Sequence, residues 1–271
     1  MNVKALVQPF VKRIRQSKDG KKQKKYLETQ YSKKIAMLKG TAEKERCFII
    51  GNGPSLIVSD LEKLKHEDCF ACNRIYGLYE RTEWRPKVYC SQDRKVLEQI
   101  IPDLPYVVDN AQITFLPYLF RDLFPAVVDK EKVKLFYKPY VSVYSSDGTF
   151  PEGIMPFSED VSWGIYDGLS VTFNMMQIAA YMGYKEIYLL GIDHNYAING
   201  NIVDASKSYA EGIKPIDMST QFQPELTLCE NAFREARRFA EKKGILIRNA
   251  TRGGKLEVFE RIDLDGVLNY G

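Results

Sequence analysis

Residues 47–56 read Cys47-Phe48-Ile49-Ile50-Gly51-Asn52-Gly53-Pro54-Ser55-Leu56. A short apolar run breaking into Gly-Asn-Gly-Pro-Ser is the pattern of a buried strand, a tight turn and a helix start. Open α/β sheets build phosphate and nucleotide sites in this way. Gly51 and Gly53 permit positive φ and close backbone approach. Pro54 suits the first position of a helix, and Asn52 and Ser55 bring short polar side chains to its mouth. A turn with no ligand would read the same. The dinucleotide fingerprint is excluded, because Leu56 stands where its third glycine would be.

Outward from this stretch the chain alternates between strand and helix patterns from Arg46 onward. Strands are expected at 47–51, 69–73, 87–91, 112–116, 132–137, 186–192, 245–248 and 256–259. Helices are expected at 60–66, opened by a capping box at Ser59-Asp60-Leu61-Glu62, and at 93–101, 170–183 and 226–243. The fold class is α/β: a Rossmann-like, mostly parallel sheet flanked by helices. It is expected to occupy residues 46–271, after a basic helical extension over 1–45. That extension reads as an amphipathic helix over 1–16, a polar break at Ser17-Lys18-Asp19-Gly20, and a second helix over about 21–40. The loops 144–160 and 196–225 have the length of functional lids.

With 45% hydrophobic and 27% charged residues in 271, the composition is that of a globular protein. No apolar run approaches the roughly 20 residues of a membrane span, and no signal-peptide pattern opens the chain, so a cytoplasmic protein is expected. The net charge of +4 is concentrated at the start, including Lys21-Lys22-Gln23-Lys24-Lys25. A nucleic-acid-binding face over the body is therefore not expected. The helix 1–16 suits either a peripheral contact with an anionic membrane face or docking on its own domain. Cys69 and Cys72 match C-x-x-C, but on a strand they point to opposite faces, so neither a metal set nor a redox pair is expected.

Polar clusters follow the apolar part of several strands: Asn52 and Ser55, Asn73 and Arg74, Ser91 to Asp93, Asp193 to Asn195, Asn249 and Thr251. In an open parallel sheet these ends share one edge, where ligands bind. A nucleotide or nucleotide-sugar site is expected there.

The stretches FIIGNGPSL (48–56), CNRIY (72–76) and MGYKEIYLLGIDHNY (182–196) resemble the bacterial sialyltransferases of glycosyltransferase family 42. They equally resemble the wider MptE-like group, which includes 6-hydroxymethylpterin diphosphokinases and flagellin-modifying motility accessory factors. The closing stretch NATRGGKLEVFERID (249–263) is similar to a subset of that group found with surface-polysaccharide genes. The resemblance implies nucleotide contacts from Asn52, Ser55, Asn73 and Gly191; Gly51, Gly53 and Pro54 of the glycine turn and Arg74 of the second strand end are expected to join them. It implies a sugar contact from Ser91 or Gln92, which Asp93 of the same cluster is expected to join, and carboxylate contacts from Ser170 and Thr172. Asp193 would flank the base with Gly191. The sialyltransferase histidine that deprotonates the acceptor has no counterpart in 196–225. The candidate bases are His194, Asp193, Glu211 and Asp217. Tyr196 and Tyr209 are the tyrosines nearest the place of those that stabilise the departing phosphate.

The expectation is a glycosyltransferase using a nucleotide-activated, CMP-linked sugar to build a bacterial cell-surface glycan. It would invert configuration and require no metal or other cofactor. Its partners would be the sugar donor and a glycan or lipid-linked acceptor, with peripheral membrane contact through residues 1–16 and self-association left open. The alternatives are a diphosphokinase dependent on Mg and ATP, with Asp93 and Asp193 as metal carboxylates, and a non-catalytic nucleotide-binding module.

Overall fold

The computed structural model describes residues 16–141, 155–196, 198–199, 202–204, 207–217 and 226–269. Residues 16–27 are helical (α1), followed by α2 (Gln30–Ala36). The sheet then begins: β1 (Arg46–Ile50), α3 (Val58–Lys63), β2 (Cys69–Cys72), β3 (Val88–Cys90), α4 (Arg94–Ile100), α5 (Leu104–Asp109), β4 (Ile113–Pro117) and β5 (Val133–Phe136). After the loop come α6 (Val171–Met182), β6 (Glu186–Leu190) and an antiparallel hairpin of β7 (Ile198–Asn199) and β8 (Ile202–Val203). The chain closes with α7 (Leu226–Lys243), β9 (Leu246–Asn249), β10 (Glu260–Arg261) and α8 (Leu264–Asn269).

Eight strands form one sheet in the order β10-β9-β6-β1-β2-β3-β4-β5, and every pairing is parallel. The chain runs outward from β1 to β5, returns to β6 on the other side of β1, and continues to β10. The order therefore reverses between β1 and β6, where Ile50 pairs with Leu190. A sheet covered on both faces needs strands that are apolar at nearly every position. Accordingly Cys47 and Ile49 enter one buried cluster with α6 and α7, while Phe48 and Ile50 enter the other with α3, α4 and α5. All five cysteines are buried and free; Cys69 and Cys72 lie on opposite faces, as the two-residue period requires, and burial pushes both thiols up to about 12.

The N-terminal segment is packed on this body. Tyr26 and Ile35 are fully buried, α2 lies against the edge strand β5, and Gly40 and Ala42 donate to Tyr181 and Met182 carbonyls at the end of α6. A helix laid over an edge strand blocks pairing with other chains. Among the described residues no helix is long and apolar enough to cross a membrane.

Several boundaries differ from expectation. Ser17 to Gly20 continue α1 rather than breaking it, because Asp19 turns inward to accept from Tyr137 Oη (2.6 Å) and the Tyr140 N–H (2.9 Å). The break falls at Thr29, whose hydroxyl caps α2 at Tyr31 N (3.2 Å). α3 opens at Val58, not 60. Residues 104–109 form a helix in a region expected to be irregular, and α8 was not expected. The last strand is Glu260–Arg261; Leu256, Val258 and Phe259 instead fill the core as irregular chain. Apart from Gln16, the helix expected over 1–16 lies outside the described residues, as do 144–154 of the first long loop and 218–225 of the second.

Candidate active site

A cavity of about 660 Å³ opens at the carboxyl edge of the sheet, at the reversal between β1 and β6. Its floor is the two turns that leave those strands. Gly51 donates to Leu190 O (2.8 Å) and Gly53 to Gly191 O (2.9 Å), so the turns lie back to back. A Cβ at Gly53 would fall 2.8 Å from Asp193 Cγ, and one at Gly51 3.0 Å from Gly191 C. Both glycines are there for close approach. Neither uses the positive φ that glycine permits; Gly191 does, at 66°. Pro54 and Ser55 lie in a turn, and the helix opens only at Val58, so Pro54 is not its first residue and no helix mouth faces the ligand here.

The side chains of this floor divide into those already paired and those left open. Ser55 Oγ donates to Asp193 Oδ2 (2.7 Å), which makes Ser55 a holder of Asp193 rather than a cavity contact. Burial raises the Asp193 carboxyl above its ordinary range, and the Ser55 bonds partly offset this. Asn52 Nδ2 donates to Cys72 O (3.1 Å), but its Oδ1 is buried without a partner in a residue that lines the cavity. An unpaired buried acceptor costs about 1–3 kcal/mol, which a ligand donor would recover.

Asn73, at the end of β2, lines the cavity with φ 50°; its side chain accepts from the fully buried Ser91 hydroxyl (3.1 Å). Ser91 thus supports Asn73 and does not reach the cavity. Arg74 also turns away: its guanidinium donates to the carbonyls of Pro215 (2.8 Å) and Lys214 (3.4 Å), fixing the loop behind Tyr209. Gln92 and Asp93 do line the cavity, though Asp93 Oδ1 caps α4 by accepting from Lys95 N (2.8 Å) and Val96 N (3.1 Å).

Across the cavity stands the N-terminus of α6. Ser170 is its N-cap, with extended φ of −148°, yet its hydroxyl caps nothing and no acidic residue occupies the first turn. Ser170, Val171 and Thr172 line the cavity. A twelve-residue helix aimed at a cavity with its first N–H groups uncapped favours an anion there.

His194 follows Asp193 with φ 49°, and its side chain is only 6% exposed. Nε2 lies 3.5 Å from Glu230 Oε1 on α7 without hydrogen-bond geometry, and the ring meets Phe233 edge-on. Burial lowers the imidazole below its ordinary value, and Glu230 partly restores it, so the ring is neutral near pH 7. Tyr196 and Tyr209 line the cavity too, and burial raises both phenols. Glu211 is exposed beside Arg81, and neither Glu211 nor Asp217 lines the cavity.

Among the described residues three non-glycine residues have positive φ: Asn73, Leu169 and His194. All three line this cavity. Such backbone costs of order 1–3 kcal/mol each and clusters at functional sites. Sequence reasoning missed Leu169, Asp167 and Glu230. Gly168-Leu169 just ahead of a helix was a local signal; Glu230 had none, since it meets His194 only through the packing of α7.

A model of the family described as 6-hydroxymethylpterin diphosphokinase MptE-like matches residues 21–199. No curated protein matches the chain. Among solved structures, the MAf glycosyltransferase from Magnetospirillum magneticum AMB-1 is similar with a TM-score of 0.51 and 16% identity over 89% of this chain; the chain spans 38% of that protein's length. The sialyltransferase CstII from Campylobacter jejuni, in complex with a substrate analogue, CMP-3FNeuAc, is 19% identical over 81% of this chain and 86% of its own, with a TM-score of 0.45. At these identities the likeness is one of fold.

Proposed function

The chain belongs to the MptE-like family, and from its cavity we propose a glycosyltransferase that uses a nucleotide-activated sugar, CMP-linked, to extend a bacterial cell-surface glycan. The observation that carries the reading is the pairing of an uncapped α6 N-terminus with the glycine floor across one cavity at the sheet's reversal point. That is where open parallel sheets bind nucleotides, and about 660 Å³ suits a nucleotide with one sugar.

In this reading Asn52 Oδ1 accepts from a hydroxyl or amine of the nucleotide, and Gly51 and Gly53 let the nucleotide approach the backbone. Ser170, Thr172 and the free N–H groups of α6 hold the anionic part of the donor. His194, neutral near pH 7, takes the acceptor hydroxyl's proton. Glu230 stands against Nε2, which leaves the other ring nitrogen for that work. The raised phenols of Tyr196 and Tyr209 stay protonated and can donate to the departing phosphate. Displacement on the face opposite the leaving phosphate inverts the sugar carbon, and it needs no metal. Resemblance to CMP-binding sialyltransferases supports the choice of CMP.

A second reading has its own support, since the family is described as one of 6-hydroxymethylpterin diphosphokinases. Asp93, Asp167 and Asp193 all line the cavity. One oxygen of each is engaged, by the α4 backbone, Lys138 and Ser55 respectively. Among the described residues no three His, Cys, Asp or Glu side chains converge, so Mg²⁺ would rest on one or two carboxylates and on the substrate phosphates. Thermal-shift measurements with CMP, UDP, GDP and ATP-Mg separate the readings. Stabilisation by CMP and CMP-sugars supports the transferase; stabilisation by ATP-Mg alone supports the diphosphokinase. A native protein that binds CMP but turns over no donor is a binding module.

A further inference from the structure

The lysine run at 21–25 takes no part in the cavity. In α1 the inward side is Asp19, Gln23 and Tyr26, spaced four and three apart. Gln23 Nε2 donates to Trp163 O (3.1 Å), Asp19 receives Tyr137 and Tyr140, and Tyr26 is fully buried. The other side carries Lys18, Lys21, Lys22, Lys24 and Lys25, all exposed. The one acidic residue of α1, Asp19, faces inward, and no ion pair among the described residues reaches these lysines. Like charges three and four apart repel and destabilise the helix that carries them. This helix keeps five.

Two exposed aromatic residues lie on the segments that α1 packs against. Trp163, at 39% exposure, sits at the carbonyl that receives Gln23, and Tyr140, at 37%, at the N–H that reaches Asp19. Lysines beside exposed Trp and Tyr match the headgroup boundary of a bilayer, where an amphipathic ring is at home and anionic lipid attracts cations. A nucleic-acid duplex would use the lysines, but its bases are already stacked on one another and offer nothing to exposed aromatic rings.

We propose that the outer face of α1, with Tyr140 and Trp163, docks on an anionic phospholipid surface. The segment that carries Ser162 and Trp163 against α1 and α2 continues into Asp167, Leu169 and Ser170 of the cavity wall. Docking there holds the cavity beside the bilayer, where a lipid-linked acceptor resides. The docking itself does not depend on the transferase reading.

The test is co-sedimentation of the full chain with vesicles of phosphatidylcholine alone and of phosphatidylcholine mixed with phosphatidylglycerol. The native chain is expected to bind the anionic vesicles, to ignore the neutral ones and to be released by salt. Each lysine near an anionic surface adds about fivefold in affinity, so K21Q/K22Q/K25Q should weaken binding about a hundredfold. Trp163→Ala should weaken it by less. All three lysines are exposed, so an unchanged melting temperature and unchanged CMP binding will show that the fold and the cavity survive. Native protein that ignores anionic vesicles overturns the proposal. So does a triple variant that binds them as tightly as the native chain, because the contact then lies elsewhere, residues 1–15 included. Tighter binding to an RNA duplex than to anionic vesicles at equal salt overturns it as well.

Discussion

Between Cys47 and Ile50, β1 is hydrogen-bonded on both sides and fully buried, whereas two residues later Asn52 leaves a buried oxygen without a partner. The same change occurs along β6, where Ile187 to Leu190 pair and pack, and His194 then adopts φ 49° with a buried nitrogen unpaired. Strand bodies and strand ends differ in what is left unsatisfied. The bodies meet every local preference, as a stable sheet demands. The ends carry strain and open polar atoms that the sheet behind them is rigid enough to hold. In β1 and β6 a fully paired, buried body thus gives way to open polar atoms within a few residues.

Substitutions can break that division from either side. The largest stability effect belongs to the bodies. Phe70→Ala empties a fully buried position that meets Tyr184 edge-on, and about 3–5 kcal/mol should be lost in denaturant unfolding. A loss under about 1 kcal/mol would mean that the strand body is not the stable half.

The next effect belongs to the floor. Gly53→Ala forces a Cβ against Asp193, and displacement of about 1 Å costs roughly a hundredfold in activity. Affinity for CMP, read by calorimetry, should fall with it. Retained affinity would detach the ligand from the β1–β6 turns.

His194→Asn sharpens the comparison, because Asn tolerates the positive φ. Its melting temperature should stay near the native value while donor turnover falls about 10²–10⁴-fold. Unimpaired turnover would remove His194 as the base.

The smallest effect is in pH. With the His194 pKa lowered, the active neutral ring persists below pH 6.5, and the acid limb of kcat/KM should lie on the acid side of that value. Glu230→Gln removes the charge that partly restores this pKa, so the limb should move further down. The sign for stability follows. The unfolded chain takes up a proton near pH 6.5 that the folded ring resists, so acidification through that point destabilises the protein. A limb above pH 6.5, or one that Glu230→Gln moves upward, contradicts this assignment.

The division also explains what was legible in the sequence. The central strands announced themselves because strands buried on both faces are apolar at nearly every position, as from Ile187 to Leu190. The clusters after them named part of the cavity lining, Asn52, Asn73, Gln92, Asp93, Asp193, His194 and Asn195, and the resemblance added Ser170 and Thr172. Their partners were not legible. Ser55 looks like a phosphate contact until Asp193, 138 residues away, takes its hydroxyl. Arg74 reads as a cation for a nucleotide until the 214–215 carbonyls claim it. Asp60, read as part of a local capping box, is also bound by both terminal nitrogens of Arg252, which ties the β9–β10 loop to α3 beside the glycine turn. Local pattern gives residue type and element; only tertiary packing decides which polar atom stays free.

The central claim is that a nucleotide sits where β1 and β6 part. Calorimetric titration of CMP into the native chain and into Asn52→Ala tests it most directly. The native protein should bind one CMP, and the variant should bind it about tenfold or more weakly, the loss expected for one hydrogen bond to a buried group. Absence of CMP binding by the native chain, or equal binding by the variant, would contradict it.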